Sequence, residues 1–306
     1  MRYVLLGVIA VVAIGGAALA EELTTVAVRY PFLCSGSLRD AVLVDLPDGV
    51  IAEAGTLKLG QQDVDSEMAK WPESVRTQMK RYPVYVLEKL VTRKLIAAEA
   101  SDWAKQNGKS GSVETLVSAY LDANVKPPQV AVEEAKSFYA EHEKLFNGAS
   151  WEQVENDVLA YVRDERLMDA RDAFTRAVSR RQAVRVSDSW VAAQHAKWAA
   201  NPVEKARVSR KPTLAVFSVI GCCDKMHPVT EELRGNCADR LNVVFVHVGQ
   251  EEILSELYGA TSIPVEILFD AAGKEIFRKQ GFMASTDIKA KFAECGVSLE
   301  ERKTDG

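Results

Sequence analysis

Residues 213–228 read TLAVFSVIGCCDKMHP. Thr213 to Ser218 is a short apolar run with the composition of a buried strand. Two adjacent cysteines, Cys222 and Cys223, follow where a helix is due, and that helix fits Asp224 to Leu233. Downstream, Asn242 to Val248 reads as a second apolar strand and Glu251 to Tyr258 as a helix. Val265 to Asp270 and Lys274 to Lys279 are two more strands joined by Ala271-Ala272-Gly273, and Thr286 to Glu294 closes with a helix. Strand, helix, strand, helix, hairpin, helix is the order of an α/β unit with a mixed sheet.

The texture changes on the N-terminal side of Asn201-Pro202, which places a domain boundary near residue 203. From Asp63 to Arg207 helix formers dominate, with apolar residues at three- and four-residue steps. Val84, Leu87, Val91 and Leu95 form one stripe, so Pro83 to Lys105 should be a core-facing helix with Pro in its tolerated first turn. Ser150-Trp151-Glu152-Gln153 is a capping box opening a second long helix that runs towards Val178 and ends in Arg180-Arg181. Val50 to Ala54 and Leu57 to Leu59 read as a small strand pair, with helix from Gln61 onward; Glu21 to Pro47 has no clear pattern, and Cys34 falls in a loop. His142 and His195 lack nearby Cys or His partners and read as surface residues.

Residues 1–20 look like an address. Val4 to Ile14 is apolar, and Ala18-Leu19-Ala20 offers the small residues a signal peptidase accepts before Glu21. The expected destination is periplasmic or otherwise exported, with membrane attachment only if that segment stays uncut. The 306 residues, 47% hydrophobic and 26% charged, fit two globular domains and exclude a disordered or collagen-like chain. A net charge of -5 and the lack of a basic stripe argue against a nucleic-acid partner. Five cysteines, with Cys34 far from the other four, do not make a disulfide scaffold. No phosphate-cradling loop, hydrolase elbow or paired-His metal motif is present, and no resident cofactor is expected.

Residues 211–306 resemble the thioredoxin family. Phe217 ends the first strand, Cys222-Cys223 opens the helix, and Lys225-Met226-His227-Pro228 is similar to the family's stretch leading to a helix-kinking proline. Tyr258-Gly259 followed by Ser262-Ile263-Pro264 is similar to the segment that holds a cis-proline beside the active site; Asp270 to Gly273, then Gly281-Phe282, is similar to the last hairpin. The resemblance implies Cys222 and Cys223 as catalytic thiols, with Pro264 and Ile263 contacting substrate. The departures are specific. The family has two residues between its cysteines and this chain has none, so the pair can close only a strained eight-membered ring, easier to reduce than a relaxed disulfide. The family's buried acid is Val216 here, and the aromatic usually before the first cysteine is Gly221. Three uses of the pair stay open: a redox or isomerase dithiol with Cys222 as nucleophile and Cys223 or Cys237 as resolver, a soft-metal thiolate site with His227, or a thiol pair on a binding scaffold.

Residues 50–190 resemble the chaperone domain of SurA-type periplasmic foldases. Ile51-Ala-Glu-Ala-Gly55 with Leu57 to Val64 is similar to that family's opening strands and helix. Pro83 to Ala100 is similar to its long helix; Val132 to Phe146, Trp151 to Val178, and Ala183 to Val186 are similar to its later helices and closing strand. Nothing resembles the parvulin domain, so proline isomerase activity is not carried over. The expectation is a multidomain chain, a mostly α-helical SurA-like domain (21–202) followed by an α/β thioredoxin fold (203–306). The implied role is an exported folding factor whose partners are unfolded or newly exported proteins. The alternatives are a non-catalytic binding protein and a soft-metal carrier.

Overall fold

The computed structural model describes residues 24–126, 128–142, 146, 148–219, 226–260 and 263–299. The N-terminal half holds α1 (Val26–Arg29), β1 (Val42–Val44), β2 (Ala52–Ala54), β3 (Leu57–Leu59), α2 (Gln61–Met68), α3 (Glu73–Arg81), α4 (Pro83–Gln106), α5 (Val113–Asn124), α6 (Val132–Glu141), α7 (Trp151–Arg181), β4 (Arg185–Ser187), α8 (Asp188–Trp198) and α9 (Pro202–Arg207). The C-terminal part holds β5 (Thr213–Ser218), α10 (Met226–Asn236), β6 (Asn242–His247), α11 (Glu252–Leu257), β7 (Val265–Phe269), β8 (Glu275–Gln280) and α12 (Ser285–Glu294). Helices with two small mixed sheets make this a multidomain α/β protein. The expected address, residues 1–20, lies outside the described residues; among the described residues no helix is long and apolar enough to cross a membrane.

Helix α4 is the spine of the first half. Its expected stripe, Val84, Leu87, Val91 and Leu95, is buried throughout, joined by Leu90 and Ile96. Each such side chain contributes about 1.5–3 kcal/mol by leaving water. Helix α7 begins as its capping box requires, with the Ser150 amide donating to Gln153 Oε1 at 2.8 Å. The first sheet has the order β1-β4-β2-β3; β4 arrives late in the chain and inserts parallel to β1 and antiparallel to β2.

The second sheet has the order β6-β5-β7-β8, with β5 and β6 parallel and the other pairs antiparallel. Both central strands, β5 and β7, are buried along their whole length. One face packs under α10 and α12 through Leu214, Val216, Leu233, Leu268 and Phe292. The other face, with Phe217, Ile267 and Phe269, joins the same apolar cluster as Leu87 and Trp198 of the helical half.

That joint is aromatic. Tyr258, which follows α11, stacks on Phe32 at 5.3 Å and on Trp198 at 5.5 Å, and Trp198 meets Tyr82 edge-on at 5.8 Å. Phe32 takes φ +65°, a left-handed conformation a bulky residue rarely holds, and its ring also meets the Arg207 guanidinium at 5.4 Å. Polar pairs surround the stack: Arg81 bonds Glu251 at 2.7 Å, Lys89 bonds Glu256, and Tyr85 Oη donates to Glu256 at 2.8 Å. Glu204 and Arg207, both largely buried, pair on α9 beside it.

Candidate functional site

The catalytic cysteines expected from the sequence, Cys222 and Cys223, lie outside the described residues. What the structure describes is their frame. Strand β5 ends at Ser218, and α10 begins at Met226, which is fully buried. Phe217 pairs with Val265, so Pro264 stands abreast of the end of β5, from which the chain runs on to Cys222. The Ile263–Pro264 peptide is cis. The Pro264 carbonyl accepts from the Gly281 amide at 2.8 Å, which ties the segment to the loop after β8. Ile263 and Pro264 are both half-buried, so each keeps a face that a ligand can reach.

The residue that stands opposite Val216 on the next strand is an acid. Glu266, on β7, pairs directly with Val216 and is completely buried. Directly opposed residues of an antiparallel pair share a face, so this carboxyl lies on the α10 and α12 side of the sheet. Its Oε1 accepts from the Met283 amide at 3.0 Å, while its Oε2 is buried with no partner among the described residues. Burial pushes its pKa up to about 8, against the opposing pull of the Met283 amide. Ser218 Oγ, two residues on from Val216 and therefore on the same face, is likewise buried without a partner among the described residues. Sequence reasoning missed Glu266, although one charge inside the apolar run Val265-Glu266-Ile267-Leu268-Phe269 was a visible signal.

A second residue reaches this frame from the helical half. His142, after α6, was expected at the surface; it is half-buried, stacked on Phe138 at 4.3 Å, with Nδ1 2.9 Å from the Phe138 carbonyl. Its Nε2 faces Gly281, 4.0 Å from where a Cβ there would stand. The partner of Pro264 is thus covered by the α6–α7 arm, with Phe282 beside it 43% exposed.

The remaining thiols separate into three environments. Cys237 is buried just past the far end of α10, an eleven-residue helix of ~16 Å, so it packs in the core and is remote from the helix start as a resolver. Cys295, past the end of α12, is exposed. Cys34 is buried at 5% exposure, and burial with the nearby Glu88 carboxyl raises its pKa well above that of a free thiol. Among the described residues no cluster of three or more His, Cys, Asp or Glu could hold a metal ion.

No family model and no curated protein matches the chain. Among the solved structures to which it is similar are the following two. One is a malarial protein, 21% identical, with a TM-score of 0.26, covering 28% of this chain and 96% of that one. The other is thioredoxin-2, described as a component of the malaria parasite's protein secretion machinery, also 21% identical with a TM-score of 0.26, covering 28% of this chain and 82% of that one.

Proposed function

We propose that this chain is a folding factor of an exported compartment, in which a thioredoxin-like unit acts on client thiols while a SurA-like helical half holds the client. The observation that carries the thiol reading is the frame at the end of β5: a cis Pro264 with an open face, and the half-satisfied carboxyl of Glu266 buried behind it.

In the proposed reaction the Cys222 thiolate attacks a client disulfide; one client sulfur leaves as thiolate and a mixed disulfide forms. Cys223 then gives up its proton and attacks Cys222 Sγ, which releases the second client sulfur and closes the Cys222–Cys223 disulfide. Glu266, whose pKa lies near neutrality, is the group suited to take that proton and return it. An external dithiol resets the pair by taking up the oxidation. Client backbone lies along Pro264 and Ile263.

Turnover of insulin disulfides with a dithiol reductant tests this, comparing the full chain with Cys222→Ser and Cys223→Ser. Loss of turnover in both variants is the expected result; equal turnover in wild type and both variants would sink it. A second reading, a binding platform without catalysis, is favoured by the burial of one sheet face against the helical half. It predicts suppression of client aggregation that survives both substitutions.

A further inference from the structure

A cleft of about 1010 Å³ runs between the helical arm and the α/β unit. One wall is α7, which contributes Met168, Asp169, Asp172 and Thr175, residues that share one helical face. Helix α7 buries nothing between Val162 and Val178. Its start is held to α6 through Val158 and Val162, and its end enters the main core through Val178. Between them Phe174 packs at the edge of the main core beside Tyr120, while Met168, Asp169, Asp172 and Thr175 turn a mostly polar face to the cleft. Helix α11 also lines the cleft, with Glu252 and Glu256, and so does Phe32.

The charges on these walls are unbalanced. Of the cations lining the cleft, Lys89 is committed to Glu256, and Arg278 to Glu275 and the Tyr258 carbonyl, which leaves Arg39. Asp172 and Glu252 make no salt bridge or side-chain hydrogen bond among the described residues, and Asp169 reaches only Arg166 at 3.7 Å. Carboxylates that line one cleft repel unless a cation enters. The volume is also at or above the ~300–1,000 Å³ of small-molecule pockets. An exposed Met168 adds an adaptable apolar contact.

We infer that this cleft binds an extended polypeptide segment bearing Lys or Arg, its cations between the α7 and α11 carboxylates and its apolar residues on Met168 and Phe32. The inference rests on the reading of the chain as a client-binding protein, and it adds where the client lies and which clients are preferred. The test is fluorescence anisotropy on the full chain with two labelled nine-residue peptides, one alternating Lys and Leu, the other Glu and Leu. The Lys peptide should bind, and binding should weaken as salt rises. Joint Asp172→Lys and Glu252→Lys replacement, both at exposed positions, should raise Kd by about tenfold or more; Asp172→Asn should raise it less, and thermal melts establish that each variant is folded. Equal binding of the Glu peptide, no binding of the Lys peptide, or a Kd unmoved by charge reversal would overturn the inference. Binding is read separately from insulin turnover: a wild-type chain that binds the Lys peptide but turns over no insulin removes the thiol reading alone, and one that turns over insulin in a Cys222- and Cys223-dependent way but does not bind the peptide removes the cleft alone.

Discussion

Glu88 and Glu266 are both buried carboxylates whose pKa burial raises, yet their surroundings differ. Glu88, on α4, accepts the amides of Ser35 at 3.2 Å and of Gly36 and Leu38 at 2.9 Å. Gly36 permits that approach, since a Cβ there would stand 3.2 Å from the Glu88 carboxyl carbon. Glu266 accepts one amide, and its Oε2 has no partner among the described residues. A carboxylate with its lone pairs taken up by backbone donors works as a fixed strut for a loop. One with an empty oxygen in a dry site keeps the capacity to gain or lose a proton at an ordinary pH.

Replacing each acid should separate the two roles. Glu88→Ala strands three amides of the 35–38 loop and should lower stability by about 3 kcal/mol or more, seen in denaturant melts; a change below about 1 kcal/mol would mean the loop finds other acceptors. Glu266 should act through pH. Its folded pKa of about 8 lies above the ordinary 4.5, so between those values the folded state binds a proton that the unfolded state has lost. Its contribution is fully present below about pH 4.5 and is lost as pH rises through about 8. Glu266→Gln should flatten that decline and raise stability at pH 8 by more than about 1 kcal/mol relative to wild type; parallel stability–pH curves for the two proteins would contradict the assignment. Glu67 supplies the opposite sign and the smallest effect. Hydrogen bonds from Arg93, aided by Lys70, pull its pKa down to about 2, so its contribution is present above about pH 4.5 and fades as pH falls through about 2. Glu67→Gln should cost about 1 kcal/mol at pH 7 and almost nothing at pH 2, measured by urea melts at both.

The parts of the fold that were legible in the sequence are those in which local pattern and burial coincide. Val84, Leu87, Val91 and Leu95 announce α4 because every turn meets the same core, and Thr213 to Ser218 announces β5 because both its faces are covered. β1 was not legible: three residues carry almost no period, and its partner β4 lies some 140 residues on. Cys34 was placed in a loop without any sign that the chain would bury it in the core near Glu88, 54 positions away. The stripe of α7 was visible at Val158 and Val162, but nothing in its periodicity says that no residue from 163 to 177 is fully buried. At the candidate site the cis-proline segment carried a local signature, whereas Glu266 matters because of what stands opposite it on the next strand, information that sequence spacing does not hold.

The aromatic joint bears on whether either half can stand without the other. Tyr258 and Phe217 are almost wholly shielded, and Trp198 and Phe32 help shield them from the other half. A polypeptide of residues 203–306 made alone would present that face to water, and the helical half alone would expose Trp198, so both fragments would invite self-association. Separating the halves would therefore require replacing several large apolar residues at once, so the stack couples the two halves more tightly than their covalent linker alone does.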